Sequence, residues 1–351
     1  MSYSAKTILL KVDPFQPESD LIARAAQVIR EGGLVAFPTE TVYGLGANAL
    51  DAEAVLKIFA AKERPANDPL IVHLASINDL PLIARDIPQA TLDIANVFMP
   101  GALTLIFRRQ ATVPDAVTAG QDTVAVRVPS HPVAQALIRA SGTPIAAPSA
   151  NRFSRPSPTS AAHVLSDLGG RVDIVLDGGS ATIGVESTIL DLSRDVPTIL
   201  RPGGISLEAL REFLPDVVAR TFAIQEDEIA PVPGTLLKHY SPNADVLLFT
   251  GSHLSRLNDH IIATANDFIQ GGRKVGILYV GASDEFSQTT ALLKSLGDNS
   301  DQAAAHLYEA LRSLEQSVET ILVRAPDQIG LGLALWDRLW RAAEGRIIYV
   351  E

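Results

Sequence analysis

The chain has 351 residues, 40 acidic side chains against 29 basic ones, a net charge of -11 and no cysteine. This length predicts two domains, and the acidic excess argues against a protein that coats nucleic acid. The lack of cysteine excludes disulfides, cysteine nucleophiles and thiolate metal sites. No apolar run is long enough for a membrane span and Met1–Lys6 lacks a signal-peptide pattern, so we expect a soluble, cytoplasmic protein.

The first 210 residues alternate strand and helix patterns. Ser19 is a candidate N-cap for a helix over Asp20–Arg30 that ends at Gly32-Gly33. Further helices are predicted at 51–61, 76–84, 88–98, 132–140 and 159–168. Strands are predicted at Leu34–Phe37, Leu70–Leu74, Leu103–Phe107, Val124–Val128, Ile145–Ala147, Ile174–Leu176, Thr188–Leu192 and Thr198–Leu200. Because the candidates between 186 and 201 follow one another closely, a mixed sheet is favoured over a parallel one.

The first predicted strand, Leu34–Phe37, breaks at Pro38 into hydroxyls, a carboxylate and a phenol, with Gly44 and Gly46 close behind. These glycines allow backbone conformations closed to other residues and let a ligand approach the main chain. The alternative is a tight connection in which Thr39 and Thr41 are ordinary turn hydroxyls.

The next feature is a cluster of cations where a helix capped by Asp51 must stop before Pro65. Lys62 and Arg64 then lie on the connection to the strand that ends at His73. In an acidic chain this cluster indicates an anion site. The alternative is a solvated helix end, where cations complement the helix dipole.

Arg127 interrupts the valine-rich segment Thr123–Val128. An arginine in a strand of valines is costly unless it meets an anion, which a guanidinium binds through two parallel hydrogen bonds. Its alternative is an arginine on the wet face of a half-exposed strand. A lone histidine such as His73 is more often a packed or surface residue than a functional one.

The second half begins with a proline-studded stretch, 215–242, that carries the acidic run Glu226–Glu228 and reads as an extended linker. Strands at Val246–Phe249, Val275–Val280 and Thr320–Val323 then alternate with helical patterns near 253–269, 301–317 and 333–343. Such alternation predicts a small parallel-sheet domain with covered faces. The expected organisation is 1–210, a linker over 211–243, and 244–351.

Several of these segments together resemble the YrdC/Sua5 family of threonylcarbamoyl-AMP synthases. The matching motifs are Pro38-Thr-Glu-Thr-Val-Tyr-Gly-Leu, Lys62-x-Arg64-Pro65, Pro69-Leu-Ile-Val-His73, Thr123-Val-Ala-Val-Arg-Val-Pro129, Ala147-Pro-Ser-Ala-Asn151, Glu186-Ser-Thr188 and Leu200-Arg-Pro-Gly203. The length, with His239-Tyr-Ser-Pro242, resembles the longer Sua5 type. The resemblance implies an α/β fold: a twisted mixed-sheet catalytic domain with a concave cavity and a smaller, Rossmann-like parallel C-terminal domain.

The family's activity implies that the chain is a nucleotidyltransferase which converts L-threonine, bicarbonate and ATP into threonylcarbamoyl-AMP and pyrophosphate. Mg²⁺ would accompany the triphosphate. The product would pass to the tRNA threonylcarbamoyl transferase machinery, with no stable direct binding of nucleic acid and no membrane contact.

The resemblance also implies a role for each matching residue. Lys62 and Arg64 are the candidate catalytic residues. The L-threonine set is Thr41, His73, Arg127, Ala147 and Ser187, with Arg127 on the carboxylate. The ATP set is Arg64, Asn67, Asp68, Thr123, Ser149, Ser157, Arg201 and Tyr240. Arg64 and Arg201 would hold phosphates, Tyr240 would reach ATP from a linker strapped across the cavity, and either Asn67 or Asp68 would contact the nucleotide.

Two other functions stay open at this point. The chain could bind RNA through a basic concave face, or it could transfer a carbamoyl group to another amine. The sequence contains no Ser-His-Asp pattern and no cluster of metal ligands.

Overall fold

A computed structural model describes residues 6–220, 230–237, 239–282 and 284–351. The N-terminal segment before Lys6 and the acidic run Glu226–Glu228 lie outside the described residues. The chain divides into two compact units. Unit 1 comprises Met1–Phe153 and Ser157–Thr235, and unit 2 comprises Ser154–Pro156 and Leu236–Glu351. The described helices include none that is both long and apolar enough to cross a membrane.

Unit 1 is built around one large sheet. Its strands are β1 (Ile8–Lys11), β2 (Val35–Phe37), β3 (Gly44–Asn48), β4 (Ile71–His73), β5 (Ala84–Arg85), β6 (Leu103–Arg109), β7 (Thr123–Arg127), β8 (Ile145–Ala146), β9 (Ile174–Asp177), β10 (Thr188–Asp191), β11 (Thr198–Arg201) and β12 (Val218–Ala219). Its helices are α1 (Ser19–Arg30), α2 (Ala52–Lys62), α3 (Gln89–Phe98), α4 (Asp115–Thr118), α5 (Pro132–Ser141), α6 (Ala161–Leu168) and α7 (Leu207–Arg211).

The sheet of unit 1 is mixed, which confirms the prediction. Across the described residues its order is β1-β9-β2-β3-β8-β4-β7-β6-β10-β11-β12, with β5 paired to β6. The central strand β7 runs parallel to β4 and antiparallel to β6. Two apolar clusters hold the sheet, one with α1 and α5 and a larger one with α2, α3 and α6.

Strand β3 corrects the interpretation of the glycine-rich turn. Gly44 and Gly46 lie in extended strand structure, and both pack against Phe37. A Cβ on Gly46 would lie 2.7 Å from Ile145 Cγ2 and 2.8 Å from Phe37 Cε1. Glycine is therefore required at position 46 because neighbouring side chains pack closely against it. The backbone conformation there is that of an ordinary strand.

Helix starts also differ slightly from the predictions. Asp51 caps α2 as predicted, accepting hydrogen bonds from the backbone N–H groups of Glu53 and Ala54. Ser19 is instead the first residue of α1, whose N-cap position is Glu18. The predicted helix over 76–84 is a 3₁₀-helix over Ile77–Leu82, since Pro81 lacks the N–H that a longer helix needs.

Unit 2 has a parallel sheet, as predicted. The strands are β13 (Asp245–Gly251), β14 (Val275–Tyr279), β15 (Leu292–Ser295), β16 (Thr320–Arg324) and β17 (Ile347–Val350), in the order β15-β14-β16-β13-β17 over the described residues. Helices α8 (Leu254–Gln270), α9 (Ser300–Leu314) and α10 (Gly332–Ala342) alternate with them. The edge strands β15 and β17 were not predicted.

The described part of the expected linker belongs to both units. Val218 and Ala219 form β12 beside β11, and residues 230–235, here called the strap, lie in unit 1. From Leu236 onward the chain belongs to unit 2. The predicted boundaries 1–210, 211–243 and 244–351 stay a prediction.

Candidate functional site

One face of the sheet in unit 1 carries several of the predicted site residues. In the register between β4 and β7, Ile71 pairs with Ala125 and His73 pairs with Arg127. Paired residues of adjacent strands point to the same side, so these four side chains share a face, which we call the site face. Its apolar part is small: Ile71, Ala125, Ile189 and Leu200 pack with Val232 of the strap.

Arg127 is buried on the site face, and its guanidinium group interacts with three other groups. Its Nε donates to the Gly101 carbonyl at 3.1 Å, and its Nη1 donates to Thr41 Oγ1 at 2.8 Å. Its Nη2 lies 2.8 Å from Glu40 Oε1. The wet-face alternative is therefore wrong, because Arg127 is only 4% exposed.

The carboxyl of Glu40 is governed by this ion pair. Burial alone would raise the pKa of Glu40, but the charge of Arg127 and its hydrogen bond outweigh burial and leave the pKa below its usual range. Glu40 is therefore an anion that is paired with Arg127.

His73 is a neutral member of the site. Burial, and then repulsion from Arg127, lower the pKa of His73 to about 3. Its Nδ1 lies 3.2 Å from the Ile71 carbonyl, and its ring meets Phe37 edge to face. Ala147 is close by, since its N–H donates to the same Ile71 carbonyl at 2.9 Å. Two residues of the predicted L-threonine set thus converge on one carbonyl.

Ser187, of the predicted L-threonine set, is hydrogen-bonded to Arg201, of the predicted ATP set. Its hydroxyl lies 2.7 Å from Thr104 Oγ1, and Arg201 Nη2 donates to the Ser187 carbonyl at 3.0 Å. The backbone at Gly203 packs closely against the backbone at Glu186 and Ser187. Only glycine fits there, because a Cβ on residue 203 would lie 2.3 Å from the Glu186 carbonyl oxygen. Arg201 also donates to the Pro233 carbonyl of the strap at 3.0 Å.

Arg64 forms a buried ion pair at the end of α2. Its Nη2 lies 2.9 Å from Asp68 Oδ2, and it also donates to the Pro69 carbonyl at 2.8 Å. Both side chains are almost fully enclosed, so the solvated-helix-end alternative is wrong for Arg64. Burial raises the pKa of Asp68, while the charges of Arg64, Lys62 and Arg201 act in the opposite direction. Three cations of the predicted site therefore share one electrostatic neighbourhood.

Lys62 lies beneath the loop that follows β8. Its Nζ donates at 2.5 Å to the carbonyls of Ser149 and Asn151. Burial, then the charge of Arg64, hold the pKa of Lys62 well below its usual range. In this geometry Lys62 positions the loop that carries Ser149.

The strap contacts residues of the predicted ATP set. Asn67 accepts from the Ala230 N–H at 3.1 Å through its carbonyl, and Gln121 donates to the Ala230 carbonyl at 2.9 Å. A small cavity beneath the strap is lined by Thr123 together with Pro69, Ala125, Pro231 and Pro233. Asp68 is turned inward onto Arg64, whereas Asn67 is half-buried beside the strap.

Ser157 and Tyr240 have different surroundings. Ser157 is buried and donates to Glu186 Oε1 at 2.5 Å. Tyr240 belongs to unit 2, where its ring stacks on Tyr308 at 5.6 Å and lies 5.1 Å below the Arg338 guanidinium. Tyr240 is buried, so its ring anchors the loop that carries it within unit 2. A contact between Tyr240 and ATP stays a prediction.

Two polar residues of the site carried no predicted role. Glu40 lies inside the Pro38–Leu45 motif, and Thr104 is a polar residue in the apolar strand β6. A hydroxyl within an alternating apolar strand was a usable signal for Thr104. The partner of Glu40, however, lies 87 positions away in the chain, and strand pattern alone gives no such pairing.

Two family models match the chain. One, described as "Telomere recombination" and covering the Sua5, YciO and YrdC group, matches residues 27–203. The other, described as "Threonylcarbamoyl-AMP synthase, C-terminal domain", matches residues 205–344.

Curated relatives and solved structures match nearly the whole chain. The threonylcarbamoyl-AMP synthase of Pyrococcus abyssi is 44% identical over 93% of this chain and 95% of its own length. That of Bacillus subtilis is 44% identical over 96% of both chains. A crystal structure of P. abyssi Sua5 complexed with L-threonine matches with a TM-score of 0.92 at 42% identity, covering 98% of this chain and 100% of that one.

Proposed function

The chain belongs to the Sua5/YciO/YrdC family and carries the C-terminal domain of the threonylcarbamoyl-AMP synthases, and from this premise we propose that it joins L-threonine, bicarbonate and ATP into threonylcarbamoyl-AMP and pyrophosphate. Because this reaction transfers AMP from ATP, the chain would be a nucleotidyltransferase. It is supported by relatives with that name and by the L-threonine bound to P. abyssi Sua5.

The observation that carries the proposal is the buried guanidinium of Arg127 on the site face. Arg127 donates to Thr41 Oγ1 through Nη1, and the carboxylate of Glu40 lies at its Nη2. An α-amino acid offers the same group to this position. The L-threonine set that the family resemblance implies is part of this proposal: Thr41, His73, Arg127, Ala147 and Ser187.

The proposed reaction gathers negative charge. The threonine amine first becomes a carbamate, and a carbamate oxygen then attacks the α-phosphorus of ATP while pyrophosphate leaves. Cations that are already in place stabilise such a transition state without reorganisation. Arg64 and Arg201 would supply them, and Lys62 would fix the loop with Ser149.

The remaining nucleotide contacts belong to the same proposal. Asn67, Asp68, Thr123, Ser149, Ser157 and Tyr240 complete the ATP set. Within the described residues no group of three His, Asp or Glu side chains is arranged as metal ligands. Mg²⁺ would therefore enter with ATP as part of the substrate, held by phosphate oxygens and water.

The product and its setting follow from the chemistry. A mixed anhydride hydrolyses readily, so we propose that the strap shields it from water until a tRNA threonylcarbamoyl transferase takes it up in the cytoplasm. RNA binding by the site face itself is disfavoured, because Arg64, Arg127 and Arg201 are buried and phosphate backbones require accessible cations.

A pyrophosphate assay tests the proposed function. Release should require ATP, L-threonine and bicarbonate together, and mass spectrometry should detect threonylcarbamoyl-AMP. Substituting L-serine, glycine or another amine tests whether a different acceptor is carbamoylated. Pyrophosphate release that is independent of threonine, or faster with another amine, would contradict the proposal.

The strap gives a separate prediction. Val232→Asp should lower ATP affinity about tenfold, since it replaces the burial of a valine, worth about 1.5–3 kcal/mol, with a charge facing Ile71 and Ala125. L-threonine affinity should change much less. Val196→Asp is the matched control, because Val196 is 42% exposed. Calorimetry with each ligand measures both effects, and equal ATP affinity in both variants would make the strap a passive segment.

A further inference from the structure

Glu40 lies in a turn whose backbone is fixed by hydrogen bonds. Thr39 Oγ1 accepts the N–H groups of Thr41 and Val42, each at 3.2 Å. The Glu40 carbonyl accepts from the Ile183 N–H at 2.8 Å. The main chain is thus held on both sides, and the carboxylate can move only by rotating its side chain.

Arg127 has one partner that an incoming carboxylate can replace. The Gly101 carbonyl belongs to the main chain, and the Thr41 hydroxyl is a proposed contact of the substrate itself. Glu40, on Nη2, has the same charge and the same acceptor geometry as the carboxylate of an amino acid. When the substrate binds Arg127, Glu40 is the group that gives way.

A displaced Glu40 needs a new partner, because it is a buried anion and such a group is costly when unpaired. The α-ammonium group of an amino acid is attached to the carbon that bears its carboxylate, so it arrives beside Arg127 together with the carboxylate. We propose that Glu40 binds the α-ammonium group of the substrate and removes its proton before carboxylation. This inference rests on the proposed function and adds a catalytic residue to it.

The other titratable groups that interact with Glu40 are poor proton acceptors. These are Arg127, His73 and His131 among the described residues. A guanidinium group is not a proton acceptor in proteins. The imidazole of His73 has a pKa near 3, and burial lowers the pKa of His131, whose Nδ1 already accepts the Val133 N–H. The carboxylate is the base that remains.

Substrate binding also changes the charges around Glu40. Arg127 keeps the pKa of this carboxyl low against the effect of burial. A substrate carboxylate on Arg127 would offset the charge of the guanidinium, and the α-ammonium group would become the cation that Glu40 faces. The carboxylate would then be in direct contact with the group whose proton it takes.

The proton step balances with bicarbonate as the co-reactant. An N–H bond of the ammonium group breaks, its electron pair stays on nitrogen, and the proton moves to Glu40. The amine then attacks the bicarbonate carbon, so that a C–N bond forms and a C–O bond breaks. Hydroxide leaves with a second amine proton as water, and the product is the carbamate anion.

The test compares Glu40→Gln with the wild-type chain. Calorimetry would use L-threonine and 2,3-dihydroxybutyrate, which has a hydroxyl in place of the amine. We expect Glu40→Gln to lose about tenfold or more in L-threonine affinity and to bind the hydroxy acid at least as well as wild type does. Turnover should fall about 100-fold and recover as rising pH supplies free amine. Glu31→Gln, at an exposed position, is the control.

Each outcome bears on the proposal. Unchanged threonine affinity and turnover in Glu40→Gln, while wild type makes the adenylate, would overturn it and leave the proposed function intact. If the wild-type chain makes no adenylate, the proposed function is contradicted. The role of Glu40 is then still tested by comparing how tightly wild type and Glu40→Gln bind L-threonine and the hydroxy acid. If Glu40→Gln does not fold, Glu40→Asp must keep the preference for L-threonine over the hydroxy acid, and loss of that preference would contradict the proposal.

Discussion

Replacing Arg127 with alanine is expected to weaken L-threonine binding about 30-fold or more and ATP binding far less. The guanidinium is buried and donates to Thr41 while pairing with Glu40. Truncating one partner of a buried charge pair costs about 2–5 kcal/mol. Calorimetry with each ligand separately measures the two effects.

The single substitution also leaves the buried Glu40 carboxylate unpaired, which is expected to lower folding stability. The double variant Arg127→Ala/Glu40→Gln removes that charge, so it should recover folding stability without recovering threonine affinity. Arg194→Ala, in which the lost side chain is 43% exposed, is the control. Equal weakening of both ligands, or of neither, would contradict the assignment of Arg127 to the amino acid.

Replacing Arg64 with alanine is expected to abolish ATP-dependent pyrophosphate release while L-threonine still binds. The guanidinium shares an electrostatic neighbourhood with Lys62 and Arg201, where the phosphates are proposed to lie. Its loss also strands the buried carboxylate of Asp68, which is expected to lower the free energy of unfolding by about 3–5 kcal/mol.

Arg64→Ala/Asp68→Asn separates the two roles of Arg64. The double variant removes the stranded charge, so its thermal midpoint should return towards that of wild type. Pyrophosphate release should remain absent if the guanidinium meets the phosphates. Restored release would mean that Arg64 only balances the charge of Asp68.

The regular elements of the fold were predictable where the residue pattern is strong. The helix capped by Asp51 ends at Lys62, before Pro65, as local rules require. Strand β7 matches its valine pattern within one residue. These elements follow from capping, proline geometry and alternation, which a single sequence displays.

Strand β3 was missed because its reason is tertiary. Glycine is depleted in strands, so Gly44 and Gly46 favour a turn when only neighbouring residues are considered. The ring of Phe37, on the adjacent strand, fills the space that side chains at these positions would need. Packing between strands thus overrode local preference.

In the candidate site, too, some features follow from the local sequence and others depend on tertiary structure. Arg127 was identifiable because a charge among valines is costly, but its pairing with Glu40 depends on which strands are neighbours. The catalytic role of Lys62 stays a prediction, and the contacts of its Nζ with the carbonyls of Ser149 and Asn151 were not evident from the sequence. Residue type and spacing indicate which groups carry charge, and the sheet order decides what each charge meets.

The buried ion pairs of the site also set a limit for protein engineering. Replacing a buried ion pair with apolar residues of similar volume is often neutral or stabilising by about 1–4 kcal/mol. Arg127 with Glu40, and Arg64 with Asp68, are such pairs in unit 1. Selection for heat resistance alone would therefore favour substitutions at these four positions and discard the groups proposed for catalysis. A library built to stabilise this chain should hold them fixed and vary the larger apolar cluster, which includes residues of α2, α3 and α6.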